Sequence, residues 1–253
     1  MRVSVLVVAA VVVVAFIAHR AHLEARLLRA DPSVLPTDTV LLRFAHPKGK
    51  SLFESHCAGC HGLQGQGDSA RGVPNLSDED WIYGSGLVAD IERIINFGIR
   101  SHHPKAWNFA IMPSYAKAVP SSGDNRIPPL APAEIRDVVE FLWHEQGRDA
   151  DAAAALRGAR IYSDRGACYD CHSPDAKGDT AIGAPNLIDR ITLYGDGSRQ
   201  ALFMSIAYGR QGMCPAWIKR LPPAAIREIA IYVYSLSHPL SHPPDRDQVN
   251  DGK

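Results

Sequence analysis

The chain has 253 residues, 46% of them hydrophobic and 21% charged, and its 27 basic and 27 acidic side chains cancel to a formal net charge of zero at pH 7. That balance argues against nucleic acid as a partner and against strong uniform electrostatic steering. The length suits two small domains behind an anchor.

Val3 to Ala18 carries no charge and is filled almost entirely by Val, Ala, Ile and Leu. At about 1.5 Å per residue it would cover roughly 24 Å as a helix. The length also suits the apolar part of a signal peptide, but no A-x-A site follows: Phe16 stands two places before Ala18, and His19 two before Ala21. An uncleaved membrane helix is expected, lengthened by snorkelling of His19, Arg20 and His22. Leu23, Ala25, Leu27 and Leu28, interleaved with Glu24, Arg26 and Arg29, prolong it as a stalk to about Ala30. Asp31-Pro32 and Leu35-Pro36 then break the helix. The expected division is anchor and stalk over 1–30 and a linker over 31–48. Arg2 against Arg20, Arg26 and Arg29 leans the wrong way for a positive-inside argument.

Two pentapeptides follow, Cys57-Ala58-Gly59-Cys60-His61 and Cys168-Tyr169-Asp170-Cys171-His172. Each is C-x-x-C-H, the attachment pattern of c-type haem, in which both thiols add to the vinyl groups as thioethers and the adjoining imidazole takes the proximal position on iron. A zinc ribbon is the competing reading, but its second cysteine pair follows roughly 15–20 residues after the first. Here the pairs stand 111 apart (168 − 57), each with its own histidine. Two covalently bound haem c groups are expected, on His61 and His172. That leaves Cys214 unpaired and excludes an intrachain disulfide. Because bacteria attach this haem outside the cytoplasmic membrane, a single-pass protein with its haem domains facing the periplasm is expected.

The spacing of 111 persists beyond the motifs. It carries Asp68 to Asp179, Pro74-Asn75-Leu76 to Pro185-Asn186-Leu187, Asp78 to Asp189, Tyr83-Gly84 to Tyr194-Gly195 and Gly98 to Gly209. A duplicated domain follows from that register, with boundaries at 49–147 and 148–239 and a flexible tail over 240–253. Both copies read as helices joined by long loops. Leu87, Ile91, Ile94 and Ile95 mark one amphipathic helix, a Pro-rich segment spans 113–132, and the closing helices carry the stripes Ile135, Val138, Val139, Leu142 and Ile226, Ile229, Ala230, Val233. The fold class expected is all-α.

The run Gly72-Val73-Pro74-Asn75-Leu76-Ser77-Asp78, Asp80-Trp81-Ile82-Tyr83-Gly84 and Ile95-x-Phe97-Gly98-Ile99 resembles the dihaem subunit of cbb3-type cytochrome c oxidases. The second half does too, through Gly183-Ala184-Pro185-Asn186-Leu187, Leu193-Tyr194-Gly195 and Gly209-Arg210-Gln211-Gly212. The resemblance covers roughly 49–238 and implies two tandem class I cytochrome c folds that pass electrons singly. In such folds the sixth ligand to iron is a methionine before the last helix, commonly followed by proline. Met112-Pro113 fits that position for the first haem, with His102 and His103 as weaker candidates. In the second copy Met213-Cys214-Pro215-Ala216-Trp217 puts Cys214 at the same place when the proline and aromatic are aligned, with Met213 as the alternative. Pro74 and Pro185, each 13 residues after its histidine, resemble the class I proline whose carbonyl accepts the ring N–H.

The expected function is a membrane-anchored relay of single electrons in a respiratory chain. A quinol-oxidising complex or soluble cytochrome would be the donor and a terminal oxidase the acceptor. A dihaem sulfur-oxidising enzyme with a His/Cys haem is the alternative, for which Arg210, Lys219 and Arg220 are the candidate anion-binding cations.

Overall fold

The computed structural model describes residues 2–120 and 126–238, so the tail expected at 240–253 lies outside the described residues. Apart from a short antiparallel ribbon pairing Val119 with Ile127 and Pro120 with Arg126, the secondary structure is helical.

Helix α1 runs from Arg2 to Arg29, and its portion Val7–Arg29 is long and apolar enough to cross a membrane. Its character changes along its length. Val7 to Ile17 leave their large side chains exposed, whereas Leu23 and Leu27 are buried in a core shared with the globular part. The stalk is therefore packed rather than free.

A linker was expected as far as residue 48, but α2 begins at Thr39 and continues to His56. The Asp38 side chain starts it by accepting from the backbone N–H of Val40 and Leu41. Leu41, Leu42, Ala45, Gly49 and Phe53 give it one buried face. Pro32 and Pro36 had read as breakers, with a linker after them. Pro36 lies in a short 3-10 turn before the helix, and the tertiary packing of that face holds the helix together through Pro47.

After α2 come α3 (Ala58–His61), α4 (Val88–Phe97), α5 (Pro132–Glu145), α6 (Ala152–Ser163), α7 (Tyr169–His172), α8 (Arg199–Tyr208) and α9 (Pro223–Ser237). The two repeats follow in tandem along the chain, but their closing helices are exchanged. Helix α5, which closes the first sequence repeat, packs on α6 and α8 of the second; α9, which closes the second, packs on α2 and α4 of the first. The two cores confirm the exchange. One joins Leu41, Phe53, Val88 and Ile91 to Ile229, Ala230 and Val233; the other joins Ile135, Val138 and Leu142 to Ile161, Tyr162 and Ile206.

The physical cause lies between α5 and α6. Residues 146–151 are all that joins them, and so short a connection makes consecutive helices antiparallel neighbours. With α5 held against α6, the place over α2 is left for α9.

The two exchanged contacts are near copies. Gly49 on α2 lies so close to the Glu228 carbonyl and Tyr232 on α9 that a β-carbon there would collide, and Gly158 on α6 meets Asp137 and Phe141 on α5 in the same way. Beside them, Phe53 and Tyr232 have ring centroids 5.2 Å apart, and Tyr162 and Phe141 5.1 Å.

Polar groups tie the anchor in. Arg227 on α9 is buried and donates through Nη1 to the carbonyls of Leu27 (3.0 Å) and Ala30 (2.8 Å) at the end of α1, while its Nε lies 2.6 Å from Glu92 on α4. The adjacent Glu228 is fully buried, 3.1 Å from Lys48. Burial raises its carboxyl above the usual range and the lysine opposes that.

Candidate haem sites

Each C-x-x-C-H motif forms a single helical turn, α3 or α7, with the first cysteine at its N-terminal boundary and the histidine at its end. His61 Nδ1 is 3.2 Å from the Pro74 carbonyl, and His172 Nδ1 is 3.0 Å from that of Pro185. A carbonyl only accepts, so Nδ1 carries the proton and Nε2 is left with its lone pair for a metal. Burial lowers the pKa of both imidazoles, against the opposing hydrogen bond, which favours the neutral ligand form. The structure thus gives Pro74 and Pro185 the contacts expected of them.

The distal segments are where the helix exchange matters. Cys214 pairs with Ile99, through N–H to carbonyl bonds of 3.0 and 2.9 Å, at the end of α4. Met112 pairs with Arg210 through bonds of 3.2 and 3.1 Å at the end of α8. Since Arg210 is Ile99 displaced by 111, the two ladders are equivalent and Cys214 corresponds to Met112. Met213 is 69% exposed, on the outside of this loop.

The packing sets the Met112 and Cys214 sulfurs each on the side of the other repeat's motif rather than its own. Met112 packs with the core that holds Cys168, Tyr115, Ile206 and Leu202, on the side of His172. Tyr115, three residues on, donates from its hydroxyl to the Gly166 carbonyl at 2.8 Å. Cys214 lies on the side of His61, close enough for its charge to be felt at Cys57 and for Cys60 to act on it in turn. Burial is the main reason the Cys214 thiol is pushed up to about 11. The pocket alone does not make a thiolate.

Both motifs open onto one continuous cavity of about 560 Å³, lined by His61, His172, Met112 and Cys214 together with the apolar side chains of both cores. The residues present fit two haem groups. Four thiols stand in two pairs, each histidine has a free Nε2, and a sulfur stands in each distal loop. The Trp81 indole Nε1, on the cavity wall, is buried without a hydrogen-bond partner among the described residues, as a donor awaiting a carboxylate would be. Arg148 supplies a cation on the wall of the second site, donating to the Gly197 carbonyl at 2.9 Å.

An approximate two-fold relation joins the halves across this cavity. Tyr83 lies on Gly183 and Tyr194 on Gly72, each leaving no room for a β-carbon. The Gly84 N–H donates to Thr180 at 3.1 Å and the Gly195 N–H to Ser69 at 2.9 Å. Asp78, Asp80 and Asp189 are close enough to influence one another: burial first, then Asp189 and Asp78, pushes Asp80 up to about 6. In the sequence, Asp189 had appeared in the repeat, Asp78 and the crossing tyrosines in the repeat and in the family-like runs, and Asp80 in one of those runs alone.

The cations considered for an anion site beside Cys214 do not converge on it. Arg210 stacks on Tyr194 at 4.5 Å and bonds Ser205 at 3.0 Å, Arg220 stacks on Trp217 at 5.0 Å, and Lys219 is exposed. His103 stacks on Phe97 at 4.9 Å and His102 is exposed, so neither takes the place of Met112.

Comparison with known proteins gives the same picture. Residues 47–146 match the family described as Cytochrome c, and residues 153–233 the family described as Cytochrome C oxidase, cbb3-type, subunit III. The chain is 38% identical over 216 residues to the cbb3-type cytochrome c oxidase subunit FixP of Bradyrhizobium sp. (strain ORS 278), covering 84% of this chain and 68% of that one. The chain belongs to the cbb3-type cytochrome c oxidase subunit III family. The subunit CcoP of Cereibacter sphaeroides is 35% identical over 222 residues, 88% of this chain and 71% of the relative. Membership of the cbb3-type subunit III family makes the chain a membrane-anchored c-type cytochrome with two covalently bound haem c groups that serves electron transfer.

Proposed function

We propose that this chain relays electrons one at a time between two haem sites of unlike potential, held on the periplasmic side of the cytoplasmic membrane and associated with an oxidase core. A quinol-oxidising complex or a soluble cytochrome would supply the electrons and the oxidase core would receive them. The observation that carries the reading is the exchange of distal loops within one cavity, with Cys214 on the side of His61 and Met112 on the side of His172.

Bound haem supplies reversible one-electron chemistry. The chain does the rest. Pro74 and Pro185 hold the two imidazoles in the ligating tautomer; the cores beneath α9 and α5 keep water from the cavity; Met112 offers a neutral thioether. Cys214 offers a thiol that loses its proton only on binding the metal, since its apolar surroundings oppose the anion. An anionic sulfur favours the ferric state, so the lower potential belongs to the first site and the higher to the second. This reverses the order that a sequential pairing of ligands would give.

Single-haem variants test the assignment. Cys168→Ala with Cys171→Ala should halve the covalent haem content and leave a haem at His61. Its visible spectrum should then respond to Cys214→Ala and ignore Met112→Ala. The opposite dependence would restore the sequential pairing, and a response to Met213→Ala alone would move the ligand by one residue.

A further inference from the structure

Between the two sites, one side chain reaches both distal loops. Arg100 follows the end of α4 and the Ile99 pairing, with a φ of 49° that L-residues seldom adopt. Its guanidinium makes three directed bonds. Nε donates to the Gly212 carbonyl, two residues before Cys214; Nη1 donates to the Ala110 carbonyl at 2.9 Å, two residues before Met112; Nη2 donates to the Tyr83 hydroxyl at 2.7 Å. The side chain is half-buried and lies on the cavity wall.

The third bond extends the reach of this group. Tyr83 is the ring that lies on Gly183, at the start of the Gly183-Ala184-Pro185 turn whose last carbonyl accepts from His172. Arg100 is thus bonded to the distal loop of each site and, through one tyrosine, to the proximal turn of the second.

The internal symmetry does not repeat this arrangement. A displacement of 111 takes Arg100 to Gln211, which is exposed. Tyr194, the counterpart of Tyr83, is instead covered by the Arg210 guanidinium stacked on its ring. A duplicated fold would be expected to carry two such clamps or none, and here a single planar fork serves both halves. Five N–H groups in a fixed plane suit that task, whereas a lysine ammonium carries three donors about one point and cannot span three segments.

We propose that Arg100 is a positioning residue for both distal sulfurs, fixing the Cys214 and Met112 loops in one common register so that the two haem sites are mechanically coupled. This rests on the ligand assignment above. Moving one loop must break or drag the shared guanidinium, and the second sulfur then moves with the first.

The test uses the full-length, haem-loaded chain in detergent. Arg100→Leu should keep two covalent haems but weaken both sulfur signatures together: the long-wavelength sulfur-to-iron band of the methionine-ligated site and the thiolate-dependent spectrum of the other. Both losses should begin at a lower temperature than in the parent. Arg100→Lys should restore them only in part. A change at one site alone, or at neither, with two haems retained, overturns the proposal. If Arg100→Leu fails to mature, Arg100→Gln decides, since its amide can reach one loop but not both: unequal loss at the two sites supports the clamp, and two intact signatures overturn it. Failure of the ligand assignment looks different: Cys214→Ala or Met112→Ala would leave the parent spectra unchanged, or in the single-haem variant the remaining haem at His61 would respond to Met112→Ala and ignore Cys214→Ala.

Discussion

The two haem sites share nearly everything on the proximal side and differ on the distal side. Each has a helical turn ending in histidine, a proline carbonyl on Nδ1, an aromatic pair beside a glycine at the helix crossing, and a tyrosine from the other half laid on a glycine. Against that common frame, the first site holds Cys214 where the second holds Met112, and Asp80 where the register gives Ile191. The comparison teaches that a duplicated scaffold can keep its packing and its proximal hydrogen bonds while two positions on the cavity wall differ in chemistry between the halves.

The largest effect expected is on cutting the repeats apart. Because the closing helices are exchanged, a fragment 1–147 lacks α9 over α2 and α4, and a fragment 148–253 lacks α5 against α6 and α8. Neither should mature into a stable haem protein by itself, and coexpression should restore both sites in a complex that copurifies. Recovery of either fragment alone as a stable, soluble or membrane-bound haem protein would break the comparison, since the halves would then be independent.

Replacing the distinguishing ligand should come next. In the parent, the two midpoints should stand more than about 120 mV apart, a hundredfold or more in a one-electron equilibrium. Cys214→Met should raise the lower step toward the upper and give both sites the thioether band. Potentiometric titration followed in the visible region measures this. Two unshifted steps would show that Cys214 is not what separates the sites.

A smaller effect concerns Asp80. Its carboxyl is held up to about 6 by burial, then by Asp189 and Asp78, so the folded chain keeps a proton that the unfolded chain releases near pH 4. The associated stability is fully present below about pH 4 and lost as the pH rises through about 6. Asp80→Asn should flatten that dependence and gain on the order of 1 kcal/mol at pH 7, allowing for solvent on the open side of the group. Thermal unfolding of the holoprotein at pH 4.5 and 7 gives the comparison, and the parallel change Ile191→Asn, which keeps the Asp80 carboxyl, should leave the pH dependence as it is in the parent.

Much of this was legible in the sequence because the signals are local. A C-x-x-C-H motif states its chemistry in five residues, an apolar run states its environment, the register of 111 reveals the duplication, and the following proline and aromatic align Cys214 with Met112. The exchange of helices was not legible from that register. Each closing helix carries an equivalent stripe, Ile135, Val138, Val139 and Leu142 or Ile226, Ile229, Ala230 and Val233, and either fits either half. The deciding signal was the short connection 146–151, a matter of chain geometry rather than residue type. Helix α2 was hidden for another reason: Pro32 and Pro36 suggested a linker, while the Asp38 cap and the buried face from Leu41 to Phe53 start a helix at Thr39 and carry it through Pro47. Arg100 gave no sequence signal beyond its place after Gly98-Ile99, since its importance comes from three acceptors on three separate segments.

The burial of Leu23 and Leu27, with Arg227 closing on the carbonyls of Leu27 and Ala30, bears on how the molecule works at a membrane. A cytochrome on a flexible leash explores a hemisphere and meets its partners by swinging. Here the mast is packed into the cytochrome, so swinging at that joint would cost the burial of Leu23 and Leu27 and the bonds of Arg227, and a mobile electron donor must come to the site at His61.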